Sequence, residues 1–198
     1  MIRRGVFFIA PAALLSLLAF PASAGRITAS GNAMAVFAGG CFWGVEAVFE
    51  HLRGVHSAVS GYASGQIEAV RISYDPAEIS YRELLEVFFT IAHDPTQRDH
   101  QGPDAGPEYR AVVYYLEGSE RQAAETYVAE LERAHVFTRP IVTEIQPLGD
   151  FRVAESFHQD YAARHPKDLY IVSNDLPKLE RLRRQFPRLY RERGALGE

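Results

Sequence analysis

The chain has 198 residues, with 21 basic and 25 acidic side chains, a formal net charge of -4 and 47% hydrophobic residues. The acidic balance argues against nucleic acid as a partner, and a single cysteine excludes an internal disulfide framework. Its size suits one domain with a substantial core.

The first stretch pairs Arg3-Arg4 with an apolar run from Val6 to Phe20 and then Pro21-Ala22-Ser23-Ala24. Small residues stand where a signal peptidase requires them, so residues 1–24 are expected to be a secretory signal peptide cut after Ala24. The apolar core of roughly 15 residues is short against the ~20 needed to span a bilayer, which disfavours a transmembrane anchor and stable membrane insertion after cleavage. No cysteine follows the small residues, so a lipid anchor is not expected. The mature part, residues 25–198, then forms a single domain with 19 basic against 25 acidic residues, exported to the periplasm.

Ala33-Met34-Ala35-Val36-Phe37-Ala38 is a short apolar run bounded by a glycine pair, which suits a buried strand and a tight turn. Val45, Val48, Phe49 and Leu52 follow at the spacing of an amphipathic helix. Between them stands Gly39-Gly40-Cys41-Phe42-Trp43-Gly44-Val45-Glu46, with the only cysteine and the only tryptophan of the chain. Cys41 falls at the helix N-terminus, where unpaired N–H groups and the macrodipole favour a thiolate and lower a cysteine pKa from about 8.5. Phe42 and Trp43 could wall an apolar pocket. The bland alternative is a buried, inert cysteine.

Residues 54–62 and 68–74 alternate as two neighbouring strands. Ser80, with Glu83 three residues on, forms a capping box for a second helix that ends before Asp94-Pro95. Residues 94–108 are a loop long enough to carry function. A strand over 109–116, a helix over 119–135 with a Ser119 N-cap, and a strand over 141–145 complete the order βαββαβαβ. The C-terminal stretch is helical to Phe186 and basic, a solvated face packed by Leu179, Leu182, Phe186 and Leu189. Strands alternating with helices imply an α/β two-layer sandwich, a sheet with helices packed on it.

Gly40-Cys41-Phe42-Trp43-Gly44-Val45-Glu46 resembles the signature of the type-A peptide methionine-sulfoxide reductases. The resemblance runs from about Val36 to Tyr170 and includes His93-Asp94-Pro95-Thr96-Gln97 and Phe157-His158-Gln159-Asp160-Tyr161. It implies a ferredoxin-like core with a mixed sheet. It also implies reduction of the S-epimer of methionine sulfoxide, peptide-bound or free, through a sulfenic acid on Cys41. Phe42 and Trp43 would receive the substrate methyl group, and Tyr62 the sulfoxide oxygen. Glu68, within Gly65-Gln66-Ile67-Glu68-Ala69-Val70, matches the family acid, while Asp104 and Tyr109 match the remaining polar pair. In an apolar pocket Glu68 would have its pKa raised and serve as a general acid near neutral pH.

Four departures accompany these matches. The loop between Tyr62 and Glu68 is shorter than the family usually has, and Gln66 and Ala105 stand where histidines are common. No second cysteine follows Cys41, so an external thiol must regenerate the enzyme, with no bound cofactor or metal. In an oxidising compartment the expected donor is a thioredoxin-like protein, with a dithiol as its laboratory substitute. The protein is expected to act as a monomer on oxidised proteins or free methionine sulfoxide.

Two other classes compete. Cys41 with His93 or His158 could form a thiol hydrolase, which leaves Phe42-Trp43 and Glu68 without a role. Phe42, Trp43, Tyr62 and Tyr109 could instead form an aromatic slot for a ligand without catalysis. A metal site from His93, Asp94, Asp99, His100 and Asp104 has no diagnostic spacing.

Overall fold

The computed structural model describes residues 31–193. The expected signal peptide, residues 1–24, lies outside the described residues. Among the described residues there are eight strands: β1 Ala33–Ala38, β2 Val55–Ala63, β3 Ile67–Tyr74, β4 His100–Gln101, β5 Asp104–Ala105, β6 Val112–Tyr115, β7 Glu144–Pro147 and β8 Phe151–Val153. Five α-helices accompany them: α1 Phe42–Glu50, α2 Tyr81–Val87, α3 Gly118–Arg133, α4 Tyr161–Arg164 and α5 Leu176–Gln185.

The main sheet runs β7-β6-β1-β3-β2-β8. It is mixed, because β6 and β7 pair in parallel while its other pairs are antiparallel. Ala33, Ala35 and Phe37 of β1 join Val70, Ile72 and Tyr74 of β3 in one buried cluster with Val45, Val48 and Phe49 of α1, Leu84 and Leu85 of α2, and Leu131 of α3. Val36 and Ala38 turn to the other face, beside Ala69, Val112 and Tyr114. Period-two alternation therefore assigns one face of the sheet to the helical layer.

The same alternation positions the site. Glu68 shares the helix-facing side with Val70 and Ile72, and stands directly across from Tyr62 in the β2–β3 register. Pairing between β1 and β3 stops at Val70, so Glu68 lies just beyond the end of β1, where the chain turns into α1.

Capping explains the helix starts. Ser80 and Glu83 form the anticipated capping box on α2. On α3 the cap differs from expectation: Glu117, not Ser119, accepts at the N-terminus and is answered by Glu120. Strand β6 begins three residues late because Pro107–Tyr109 closes as a 3-10 turn, with Pro107 at its start. Strand β7 likewise lies at 144–147, not 141–145, and the long loop contains the small β4–β5 hairpin.

Candidate active site

Cys41 stands at the N-cap position of α1 without a side-chain capping bond, and the residue is 8% exposed. Two glycines make the approach to it. Gly40 has φ +84°, and a Cβ there would come within 2.4 Å of Gln101. A Cβ on Gly44 would fall 2.1 Å from Asp175 Oδ1, so the glycine lets the buried Asp175 carboxylate lie against α1, facing Lys178 at 3.3 Å.

The Trp43 N–H and the Tyr170 hydroxyl both act on the Cys41 sulfur in favour of its ionised form. The one hydroxyl proton of Tyr170 is donated to Asp104. Glu68 Oε2 accepts the Phe42 N–H at 2.9 Å. Burial pushes the Glu68 pKa up to about 7, against the pull of that N–H, with the charges of Asp104 and Glu108 adding to the rise. Tyr109 feels Glu68, Asp104 and Cys41 together, and burial pushes its hydroxyl up to about 12. The structure thus brings Cys41, Glu68, Asp104 and Tyr109 into one electrostatic group.

The expected lowering of the cysteine pKa is overturned. Burial, followed by the charges of Glu68 and Asp175, pushes the Cys41 thiol up to about 12, outweighing the Trp43 N–H and Tyr170. The resting site holds the proton on sulfur.

Phe42 is 1% exposed, with its ring 5.7 Å from Tyr62 and 5.0 Å from His158. Trp43 is half-buried, stacks on Tyr161 at 3.7 Å, meets the edge of Tyr170 at 5.9 Å, and donates its indole N–H to His158 Nδ1 at 3.2 Å. Tyr62 carries its hydroxyl 3.4 Å from Glu155 and lies under Arg152.

Sequence reasoning misses the roles of Tyr170 and His158 seen in the structure, although both lie within the region of resemblance. The sequence offers His158 only as a hydrolase partner, and Tyr170 only as the end of the resemblance. The Phe157–Tyr161 segment is fixed by Glu46, the last residue of the cysteine motif: one oxygen accepts from Ser60 N–H at 3.3 Å and the other from Asp160 N–H at 2.9 Å. Gln159 completes the tie by exchanging hydrogen bonds with the Ser60 backbone.

His93 is engaged elsewhere. Its ring nitrogens meet the Phe88 carbonyl at 2.8 Å and the Thr143 hydroxyl at 2.9 Å, and burial lowers its pKa to about 4. His158 has Nδ1 taken by Trp43. Neither imidazole is bonded to the Cys41 thiol, which disfavours the hydrolase arrangement. Among the described residues no group of three or more His, Cys, Asp or Glu is arranged to hold a metal ion.

Two cavities adjoin the group. One of about 300 Å³ reaches Cys41 and is lined by Gln101, Asp104, Tyr170, Lys178 and Arg181, among others. A second, of about 690 Å³, lies along Tyr62, Gln66, Glu68 and Tyr109.

A family model described as peptide methionine sulfoxide reductase matches residues 33–69 and 64–189. The chain is similar to peptide methionine sulfoxide reductase MsrA 2 of Mesorhizobium japonicum, 42% identical over 184 residues, covering 85% of this chain and 94% of that one. Among solved structures it is similar to Mxr1 from Saccharomyces cerevisiae in reduced form, with a TM-score of 0.66 and 27% identity over 73% of this chain and 92% of the other. The same yeast protein in complex with Trx2 matches with a TM-score of 0.52 and 24% identity, covering 71% and 91%, a likeness of fold alone.

Proposed function

The chain belongs to the peptide methionine sulfoxide reductase family, and from that premise we propose how its own residues carry out the reaction. The enzyme reduces the S-epimer of methionine sulfoxide to methionine and uses an external thiol. The observation that carries the mechanism is the Glu68 carboxyl bound to the N–H next to Cys41, at a pKa near neutrality.

In the first step Cys41 Sγ bonds to the sulfoxide sulfur while its proton passes by way of Glu68 to the sulfoxide oxygen. The oxygen then moves to Cys41, leaving a sulfenic acid and releasing methionine, so that sulfur on the substrate is reduced and sulfur on the enzyme oxidised. Phe42 and Trp43 receive the methyl group, and Tyr62, Tyr109 and Asp104 hold the polar end. Tyr170 keeps the reacting thiol in place. Because burial suppresses a free thiolate, attack and proton transfer occur together.

A thiol then attacks the sulfenic acid, with loss of water, to give a mixed disulfide, and a second thiol restores Cys41. The cavity reaching Cys41 supplies its route. Among donors a thioredoxin-like protein fits, in line with the complex formed by the yeast fold neighbour. The substrates in this reading are oxidised proteins or free methionine sulfoxide.

The leader composition supports export to the periplasm, with residues 1–24 removed. N-terminal sequencing of the exported protein should begin at Gly25; an intact Met1 would overturn this. The reaction is tested by incubating the protein with racemic methionine sulfoxide and a dithiol. Methionine should form and the R-epimer should remain, whereas absence of methionine or loss of the R-epimer would contradict the assignment.

A further inference from the structure

The segment that follows α5 crosses the far end of α1. The Arg53 N–H donates to the Leu189 carbonyl at 2.7 Å and the Arg191 N–H to the His51 carbonyl at 2.9 Å, on either side of an antiparallel bridge between Leu52 and Tyr190. The Arg191 guanidinium adds bonds to the Glu50 and Val55 carbonyls at 3.1 and 2.8 Å. These contacts bring Arg193 to the face of α1 that carries Trp43, Glu46 and Glu50, residues at i, i+3 and i+7. There its guanidinium bonds the Glu50 carboxyl and, at 2.6 Å, Asp160 Oδ1.

Asp160 is therefore held at both ends, its N–H by Glu46 Oε2 at 2.9 Å and its carboxylate by Arg193. Its backbone has φ +56°, a left-handed conformation that is uncommon for a residue with a Cβ and persists only where the surroundings impose it. Burial acts to raise the Asp160 carboxyl, but Arg193 and Glu50 outweigh it and hold the group below its ordinary value. Asp160 stands between two residues that wall the methyl pocket. His158 accepts the Trp43 indole N–H at 3.2 Å and lies 5.0 Å from the Phe42 ring, and Tyr161 stacks on Trp43 at 3.7 Å. Arg193 lines neither cavity that adjoins Cys41 and Glu68, so its route to the reaction runs through Asp160.

We propose that Arg193 is a positioning residue: by bonding Asp160 it holds His158 and Tyr161 against Phe42 and Trp43, and so sets the shape of the pocket that receives the substrate methyl group. The proposal rests on the reductase function argued above. Arg193 itself takes no part in the proton or sulfur chemistry.

Trp43 is the only tryptophan of the chain, so its fluorescence reports this wall directly. The test measures Trp43 emission, KM and kcat for S-methionine sulfoxide with a dithiol, and the urea midpoint. Arg193→Met should move the emission maximum to longer wavelength and raise KM about tenfold with kcat within about twofold of wild type, the pattern of lost binding. Arg193→Lys keeps a cation beside Asp160 and should bring KM back to within about threefold of wild type. Asp160→Asn suits the left-handed backbone but carries no charge. Alone it should show the same two changes at reduced size, and combined with Arg193→Met it should raise KM no further than Arg193→Met does. Ser80→Ala, which removes the α2 cap, should lower the urea midpoint and leave emission and KM at their wild-type values. Unchanged emission or KM in Arg193→Met or Asp160→Asn, the same changes in Ser80→Ala, or additive effects at Arg193 and Asp160 would overturn the proposal. Failure of the wild type to release methionine would instead overturn the reductase function itself, and the emission comparison would then decide the role of Arg193 alone.

Discussion

Glu68 Oε2 accepts a hydrogen bond from the Phe42 N–H at 2.9 Å, which ties the acid on β3 to the residue directly after the nucleophile on α1. One contact thus joins two elements 26 positions apart in sequence and fixes the geometry of proton delivery. Since burial pushes Glu68 up to about 7, its protonated form is available at neutral pH and is lost above it. Glu68→Gln should slow single-turnover reduction by roughly 10²- to 10⁴-fold, the range for losing a general acid. The wild-type rate should fall as pH rises through about 7, and the variant should lack that descending limb. Unchanged single-turnover rates in the variant would make Glu68 a structural residue.

Tyr170 gives its hydroxyl proton to Asp104 and also acts on the Cys41 sulfur, so it links nucleophile and polar wall. Replacing it with phenylalanine removes a hydroxyl that eases ionisation of Cys41. The loss of one hydrogen bond to a charged group, about 1.5–3 kcal/mol, predicts a fall in the chemical step of roughly 10- to 100-fold. Iodoacetamide should also alkylate Cys41 more slowly. Wild-type alkylation and turnover in Tyr170→Phe would show that the contact is incidental.

How much of this was legible in the sequence depends on the range over which each feature is decided. The alternation in 68–74 and the 3.6-residue spacing after Cys41 are local, and they place Glu68, Val70 and Ile72 on the helix-facing side as the structure has them. Cap chemistry was legible for Ser80 and misassigned at Ser119, because Glu117 can also accept at an N-terminus and Glu120 pairs with it. The Cys41 pKa was not legible. A helix N-terminus is a local feature, while the burial and the charges of Glu68 and Asp175 that outweigh it come from distant parts of the chain. Tyr170 meets Asp104 across 66 positions, and nothing near either residue announces the pairing. Strand β8 has three residues and a single large apolar side chain, too little for a periodic signal.

The buried carboxyls of α1 itself make stability depend on pH. Burial raises Glu46 to about 7 and Glu50 to about 9, so the folded state holds these protons more tightly than the unfolded chain, where glutamate titrates near 4.3. Their contribution is fully present below about pH 4.3 and is lost as pH rises through about 7 and then about 9. Urea midpoints should therefore decline from pH 5 to pH 9, and Glu50→Gln should flatten the upper part of that decline. A midpoint that is constant or rises over this range would contradict the burial argument.

Gly44→Ala should destabilise the fold by about 1–3 kcal/mol, the range for forcing extra volume into a packed interior. The new Cβ would collide with Asp175 Oδ1, so Asp175→Ala should recover much of the loss in the double variant. Urea unfolding of the four proteins checks this. Additive effects of the two substitutions would mean that the glycine serves α1 in some other way.

The central claim is a one-cysteine cycle through a sulfenic acid, and a single turnover tests it most directly. Reduced protein is freed of thiol, mixed with one equivalent of S-methionine sulfoxide and analysed for released methionine and intact mass. One methionine per protein should appear, with one added oxygen or a dimedone adduct at Cys41, and a second turnover should require an added thiol at a rate that rises with its concentration. Repeated release of methionine without thiol, or accumulation of oxidised protein only as a Cys41 to Cys41 dimer, would contradict the cycle.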